Sequence, residues 1–220
     1  MHRLSIEQVS FEREDLPLFA QVSSSLQSGD IMQITGHNGC GKTTLLKIIA
    51  GILLPSSGSI NFSGFSVDSY ESKSSMLYLG HQIGIDLSLS PMENLEWYFS
   101  LNGRKGDLSC ELPNSSELMA LLEKVGLKTY FDTPVYQLSA GQRRRVGLAR
   151  LFYSKAPLWV LDEPFTSIDA AGVCSIEQCI LRHAQRGGVV VLTSHQQWAE
   201  ASVKLLDLEQ YKVRVGDWLL

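Results

Sequence analysis

Long hydrophobic runs are the first thing this sequence lacks. A membrane-spanning helix needs about 20 successive apolar residues, and the best candidate, Leu45 to Leu54, is interrupted by Lys47 and Gly51. The opening Met1-His2-Arg3-Leu4-Ser5-Ile6-Glu7 carries no apolar stretch of the signal-peptide kind. The expectation is a soluble, cytoplasmic chain that reaches a membrane only through another protein. Cysteine is scarce as well. Cys40, Cys110, Cys174 and Cys179 form neither a C-x-x-C pair nor a metal-binding spacing, and they read as thiols of a reducing compartment. Blocks of one charge are missing. With 19 Lys+Arg against 23 Asp+Glu the net charge is only −4, which argues against a nucleic-acid partner. No repeat or low-complexity tract is visible. At 220 residues the chain is one large domain, or a core with a subdomain, and long enough to bury a real core.

What is present centres on Gly36-His37-Asn38-Gly39-Cys40-Gly41-Lys42-Thr43-Thr44, a full match to G-x-x-x-x-G-K-[ST]. The apolar, β-prone Ile31-Met32-Gln33-Ile34-Thr35 precedes it, and a helix-forming stretch follows, from Thr44 to Ala50. A strand feeding a glycine loop that opens a helix aims several backbone N–H groups at one point, and that point favours anions. Lys42 is placed to reach the β- and γ-phosphates of a nucleoside triphosphate, and Thr43 to put a hydroxyl on Mg²⁺. Cys40 lies inside this loop as a small turn residue, so alkylating it is expected to block nucleotide binding.

The remaining chain alternates strand and helix patterns. Residues 4–11 partly alternate, residues 12–17 read as a polar turn, and residues 18–26 as a second strand. Pro55-Ser56-Ser57-Gly58 is turn chemistry before a short strand at residues 59–62. Met76-Leu77-Tyr78-Leu79-Gly80 reads as a buried strand. Between about Gly84 and Pro134 the pattern turns helical, with one helix opening at Pro91, a polar loop over residues 102–114 and a second helix over residues 116–125. A further helix is expected to run through Tyr153, and another over residues 170–186. Leu158-Trp159-Val160-Leu161 and Val189-Val190-Val191-Leu192 are continuous apolar runs, as in parallel strands covered on both faces. Residues 203–208 suggest a last strand. The expected fold is α/β with a mostly parallel sheet, an antiparallel β subdomain at the N-terminus and an inserted helical subdomain at residues 84–134. Residues 1–83 and 135–220 form the nucleotide-binding core.

Leu158-Trp159-Val160-Leu161-Asp162-Glu163 ends a strand in two carboxylates. Beside a phosphate loop, Asp162 is the candidate to share Mg²⁺ with Thr43, and Glu163 the candidate to polarise an attacking water. Read alone, the same pair fits a solvated acidic turn equally well. Leu138-Ser139-Ala140-Gly141-Gln142, ahead of Arg143-Arg144-Arg145, is a second capped helix start able to hold a phosphate.

That pentapeptide resembles the signature of ATP-binding-cassette ATPases, and the resemblance covers essentially the whole chain, 1–220, as a single ATP-binding domain. It implies that Ser139, Ala140, Gly141 and Gln142 complete the site of a second, antiparallel copy. It assigns Gln82 to contact Mg²⁺ and water, Ser167-Ile168-Asp169 to the dimer interface, and His195 to the γ-phosphate. Where the family often has an aromatic on adenine this sequence has Arg13, whose guanidinium plane can stack on a base, while Phe11 faces the core. Thr43 and Leu138 stand 95 positions apart, too few for the coiled coil of chromosome-maintenance cassettes. Gly80-His81-Gln82, Glu93-Asn94-Leu95 and the stretch Asp162-Glu163-Pro164-Phe165-Thr166-Ser167 look like the ATP-binding subunits of bacterial cytochrome c maturation (Ccm) systems. The resemblance implies ATP hydrolysis to ADP and phosphate on the cytoplasmic face of the inner membrane. The partners it implies are a second copy and integral membrane subunits, with haem export, or release of a haem-loaded periplasmic chaperone, as the coupled work. A cassette with a lipid, drug or peptide cargo, or a soluble switch protein, is the alternative.

Overall fold

The alternating apolar positions at the N-terminus build an antiparallel hairpin, β1 (Arg3–Arg13) and β2 (Leu16–Gln27). Leu4 and Ile6 point inward, and then the parity changes to Val9. The register slips between Ile6 and Val9, where Gln8 takes φ 47°. This bulge is why the sequence alternates only in part. The turn is shorter than the expected 12–17, because Glu12 pairs with Pro17 and Arg13 with Leu16. Backbone groups extend the ladder past the last core side chain, since each gains a partner whatever its side chain is.

The structure, a computed structural model, describes residues 2–14, 16–103, 112–194, 198 and 203–213. Its chain forms two units: residues 1–80, 156–164 and 181–220, and residues 81–155 and 165–180.

In the first unit β3 (Ile31–Thr35) leads into α1 (Lys42–Ile49). Next come β4 (Ser57–Phe62), the two-residue β5 (Phe65–Ser66), α2 (Tyr70–Ser74) and β6 (Met76–Leu79). β5 and α2 are too short to leave a periodic signal and were not expected. The antiparallel sheet has the order β2-β1-β4-β5.

The second unit holds α3 (Pro91–Gly103), α4 (Ser115–Lys124) and α5 (Ala140–Leu148). Leu95, Phe99, Leu118, Leu121, Leu122, Val135 and Val146 close its core. Asn114 and Glu117 cap α4 reciprocally. The helix expected through Tyr153 stops being α-helical at Leu148. Residues 149–152 tighten to 3₁₀ geometry, with Tyr153 N donating to Arg150 O at 3.3 Å.

β7 (Leu158–Leu161) returns to the first unit. After α6 (Ala170–Gln185), β8 (Val189–Thr193) and β9 (Val203–Asp207) complete a five-stranded parallel sheet, order β6-β7-β8-β3-β9. Every residue of β7 and β8 is buried, as a strand covered on both faces requires. The carboxyl ends of β3, β7 and β8 therefore lie side by side, and the candidate site stands there.

Candidate nucleotide site

In the first unit, the loop after β3 turns through Gly36, Gly39 and Gly41, all at positive φ. Gly41 (φ 105°) caps α1. A Cβ on it would come within 2.8 Å of Leu18 Cδ2 and 2.9 Å of Phe19 Cδ1. β2 is thus a wall against which only glycine fits. Lys42 Nζ donates to Gly36 O at 2.7 Å and His37 O at 3.0 Å, holding its charge over the loop. Asn38 and Gly39 are exposed, Thr44 is half-buried and Cys40 is 6% exposed.

Thr43 Oγ1 donates to Asp162 Oδ2 at 3.0 Å, so the phosphate loop and the acidic strand end meet as expected. Asp162 is 2% exposed. Its other oxygen, Oδ1, accepts from Thr193 Oγ1 at 2.7 Å. Thr193 Oγ1 in turn accepts from the backbone N–H of Glu163 at 3.0 Å. One hydroxyl at the end of β8 thereby sets both acids, holding the Asp162 carboxylate and the Glu163 backbone at φ 52°. That left-handed conformation is costly for a residue with a Cβ, and such strain concentrates at sites where geometry matters. Thr193 leaves little mark in the sequence. The available signal was its place as the one polar residue closing an apolar run beside the acidic strand. Burial pushes the Tyr78 phenol up, and the Asp162 charge pushes it further. A hydroxyl and a carboxylate are the hard oxygen donors that Mg²⁺ takes, so Thr43 and Asp162 fit that ion.

Arg13 is exposed at the end of β1, and Phe11 packs against the core beside Phe19, ring centroids 6.3 Å apart. His195 lies outside the described residues, as does Cys110.

The second unit carries the other expected residues. Ser139 caps α5: its Oγ accepts from Gln142 N at 3.2 Å, and Gln142 Oε1 accepts from Ser139 N at 2.8 Å. The serine hydrogen is not consumed in this box, and Ser139 and Ala140 are exposed. Arg143 ties the loop back, donating to Leu138 O at 2.9 Å and Tyr136 O at 2.6 Å. Gly141 lies so close to Ser167 O that a Cβ would collide with it. The expected signature and interface segments therefore touch. Arg145 also faces Asp169 at 3.8 Å. Gln82 is exposed, and the backbone around it is gripped from behind. Arg144 Nη1 donates to His81 O at 2.9 Å, while Arg150 donates to Ile83 O at 3.0 Å and Gly84 O at 2.7 Å.

Residues 19–166 match the ABC transporter family. The chain belongs to that family. This ABC protein is 46% identical over 202 residues to the cytochrome c biogenesis ATP-binding export protein CcmA of Saccharophagus degradans, covering 91% of each chain. The protein of the same name from Haemophilus influenzae is 42% identical over 213 residues, 96% of this chain and 97% of that one. Among solved structures, a putative ABC transporter ATP-binding protein from Pyrococcus furiosus superposes with a TM-score of 0.81 at 27% identity. It matches over 96% of this chain and 100% of its own. No described helix of this ABC protein is long and apolar enough to cross a membrane.

Proposed function

We propose that this chain is the ATP-hydrolysing subunit of a membrane ABC complex that serves c-type cytochrome biogenesis at the cytoplasmic face of the bacterial inner membrane. The observation that carries the reading is the junction of Thr43, Asp162 and Thr193. It occurs in a chain that matches proteins named for cytochrome c biogenesis export over nine-tenths of its length. The coupled work is haem export or release of a haem-loaded periplasmic chaperone. Integral membrane subunits supply the membrane path.

Residues 36–44 cradle the phosphates with backbone N–H groups, and Lys42 answers their charge. Thr43 and Asp162 would hold Mg²⁺, and the family resemblance assigns Gln82 to the same ion. When bound, the ion neutralises charge on the phosphate oxygens. Glu163 accepts hydrogen bonding from water and polarises it towards the γ-phosphorus, and His195 holds the γ-phosphate. Ser139, Ala140, Gly141 and Gln142 act on the nucleotide of a second copy, so two copies enclose two ATP. Arg13 stacks on the adenine.

The test is a strain lacking the gene, complemented with the wild-type chain or with Glu163→Gln. Wild type restores covalent haem attachment to c-type cytochromes. Glu163→Gln binds ATP, turns it over on the order of 100-fold more slowly, and does not restore attachment. Normal attachment in the strain without the gene would refute the pathway. Rapid turnover by Glu163→Gln would refute its role.

A further inference from the structure

Nothing in nucleotide chemistry requires a thiol in the phosphate loop, yet Cys40 does not stand there alone. His37, Cys40 and Glu209 each offer a metal-ligating atom, and the three atoms lie within 4.8 Å of one another. His37 and Cys40 are brought together by a tight turn, with Cys40 N donating to His37 O at 3.3 Å. Glu209 arrives from 169 positions further along the chain. The parallel pairing of β9 with β3, Thr35 opposite Asp207, delivers the 3₁₀ turn of residues 208–211 to the loop. Asp207 caps that turn, accepting from Glu209 N at 3.1 Å. Glu209 Oε1 accepts from the His37 backbone N–H at 2.8 Å and faces His37 Nδ1.

Space is reserved for the sulfur. A Cβ on Gly36 would stand 2.6 Å from Cys40 Sγ and 3.4 Å from Glu209 Oε1. Cys40 is 6% exposed, whereas the His37 and Glu209 side chains are 51% and 36% exposed. The cluster is therefore closed on its core side and open to solvent on the other. That opening is an entry path and leaves room for water as a fourth ligand.

We propose that His37, Cys40 and Glu209 bind one zinc-class divalent ion, clamping the phosphate loop to the turn after β9. The donor set selects the ion. Imidazole nitrogen and thiolate sulfur suit Zn²⁺ and its neighbours, whereas Mg²⁺ takes oxygen and keeps its water. On binding, the Cys40 S–H bond breaks, its proton passes to solvent, and the sulfur keeps the electron pair it gives to the metal. One thiolate and one carboxylate balance the two positive charges. The site is distinct from the Thr43–Asp162 pair, whose donors are oxygens only.

The test uses the full-length, tag-free chain, stripped of metal and titrated with Co²⁺. The expected result is one equivalent per chain with a thiolate-to-cobalt charge-transfer absorption, displaced by equimolar Zn²⁺. Cys40→Ser abolishes the absorption, while the Cys174→Ser, Cys179→Ser double variant keeps it. Glu209→Gln, a change on the half-exposed turn, weakens cobalt binding at least about tenfold. Circular dichroism establishes that each variant is folded. No absorption on the wild-type chain, absorption that survives Cys40→Ser, or unchanged affinity in Glu209→Gln overturns the proposal. The outcome is independent of ATP turnover, so it separates from any failure of the functional reading.

Discussion

Thr193 carries more of the site's geometry than its size suggests. Its hydroxyl donates to Asp162 and accepts from the Glu163 backbone, so one oxygen sets the position of both acids. Thr193→Val keeps the shape and removes the oxygen, leaving an aspartate oxygen and an N–H to find other partners, at about 1–3 kcal/mol. ATP turnover is expected to fall on the order of 10- to 100-fold with little change in nucleotide affinity. Thr193→Ser should recover much of the rate. Equal losses in both quantities, measured by steady-state hydrolysis and nucleotide titration, would show the hydroxyl to be structural only. Cys40 is a second single-atom case. Burial pushes its thiol up, and the charge and backbone N–H of Lys42 pull it only part of the way back. Alkylation by iodoacetamide at neutral pH is therefore expected to be slower at Cys40 than at exposed Cys174, and to abolish nucleotide binding once complete. Peptide mapping over time measures the first, nucleotide titration the second. Full binding after confirmed modification would overturn the steric reading of this position.

Among the elements, α5 and the 3₁₀ turn behind it act as a clamp on the segment around Gln82. Arg150 is 4% exposed, lies 4.1 Å over the Tyr98 ring and donates to two carbonyls of that segment. Arg150→Leu should destabilise the second unit by about 2 kcal/mol, since it removes two charge-assisted bonds to the partly buried carbonyls of Ile83 and Gly84. Urea unfolding would measure this, and a loss under 1 kcal/mol would mean that water replaces the guanidinium. A different linkage joins α6 to β7. His183 stacks on Trp159, ring centroids 3.8 Å apart and planes within 6°. Burial lowers the His183 pKa from 6.5 to about 4. The folded chain thus resists a proton that the unfolded chain accepts. The stabilising contribution is complete above pH 6.5 and is lost as pH falls from 6.5 towards 4, to about 3 kcal/mol in all. His183→Phe keeps a ring on Trp159 and should flatten stability between pH 7 and 5. An unchanged slope in denaturant titrations would place the pH dependence elsewhere.

For the whole molecule, the proposal is a site shared by two copies. Lys42→Ala disables the phosphate loop and Ser139→Arg the signature segment, so neither chain alone should turn over ATP. In a mixture, half of the dimers are heterodimers, each with one intact composite site. Activity should therefore return to about a quarter of wild type. Two variants that stay inactive when mixed, with dimers formed, would mean that each chain works on its own nucleotide.

The phosphate loop, the acidic strand end and the signature segment were legible because their chemistry depends on neighbours in sequence. Glycines at fixed offsets permit the turn, and an apolar run ending in Asp162 and Glu163 is a strand mouth wherever it folds. Strands β7 and β8 were legible for the same reason, as runs apolar on both faces. The bulge at Gln8, the short α2, and the change to 3₁₀ geometry after Leu148 were not, because neighbouring elements select among backbone states that local propensity barely separates. Least legible were the long-range partners. Thr193 meets Asp162 across 31 positions and Glu209 meets His37 across 172. Arg143, Arg144 and Arg145 stand in one run, yet Arg143 and Arg144 hold backbone carbonyls and Arg145 faces Asp169. Strand order brought these groups together, and a linear pattern holds no record of strand order. The residues of the loop follow from spacing, while its clamp and the setting of its acids follow from which strands lie beside β3.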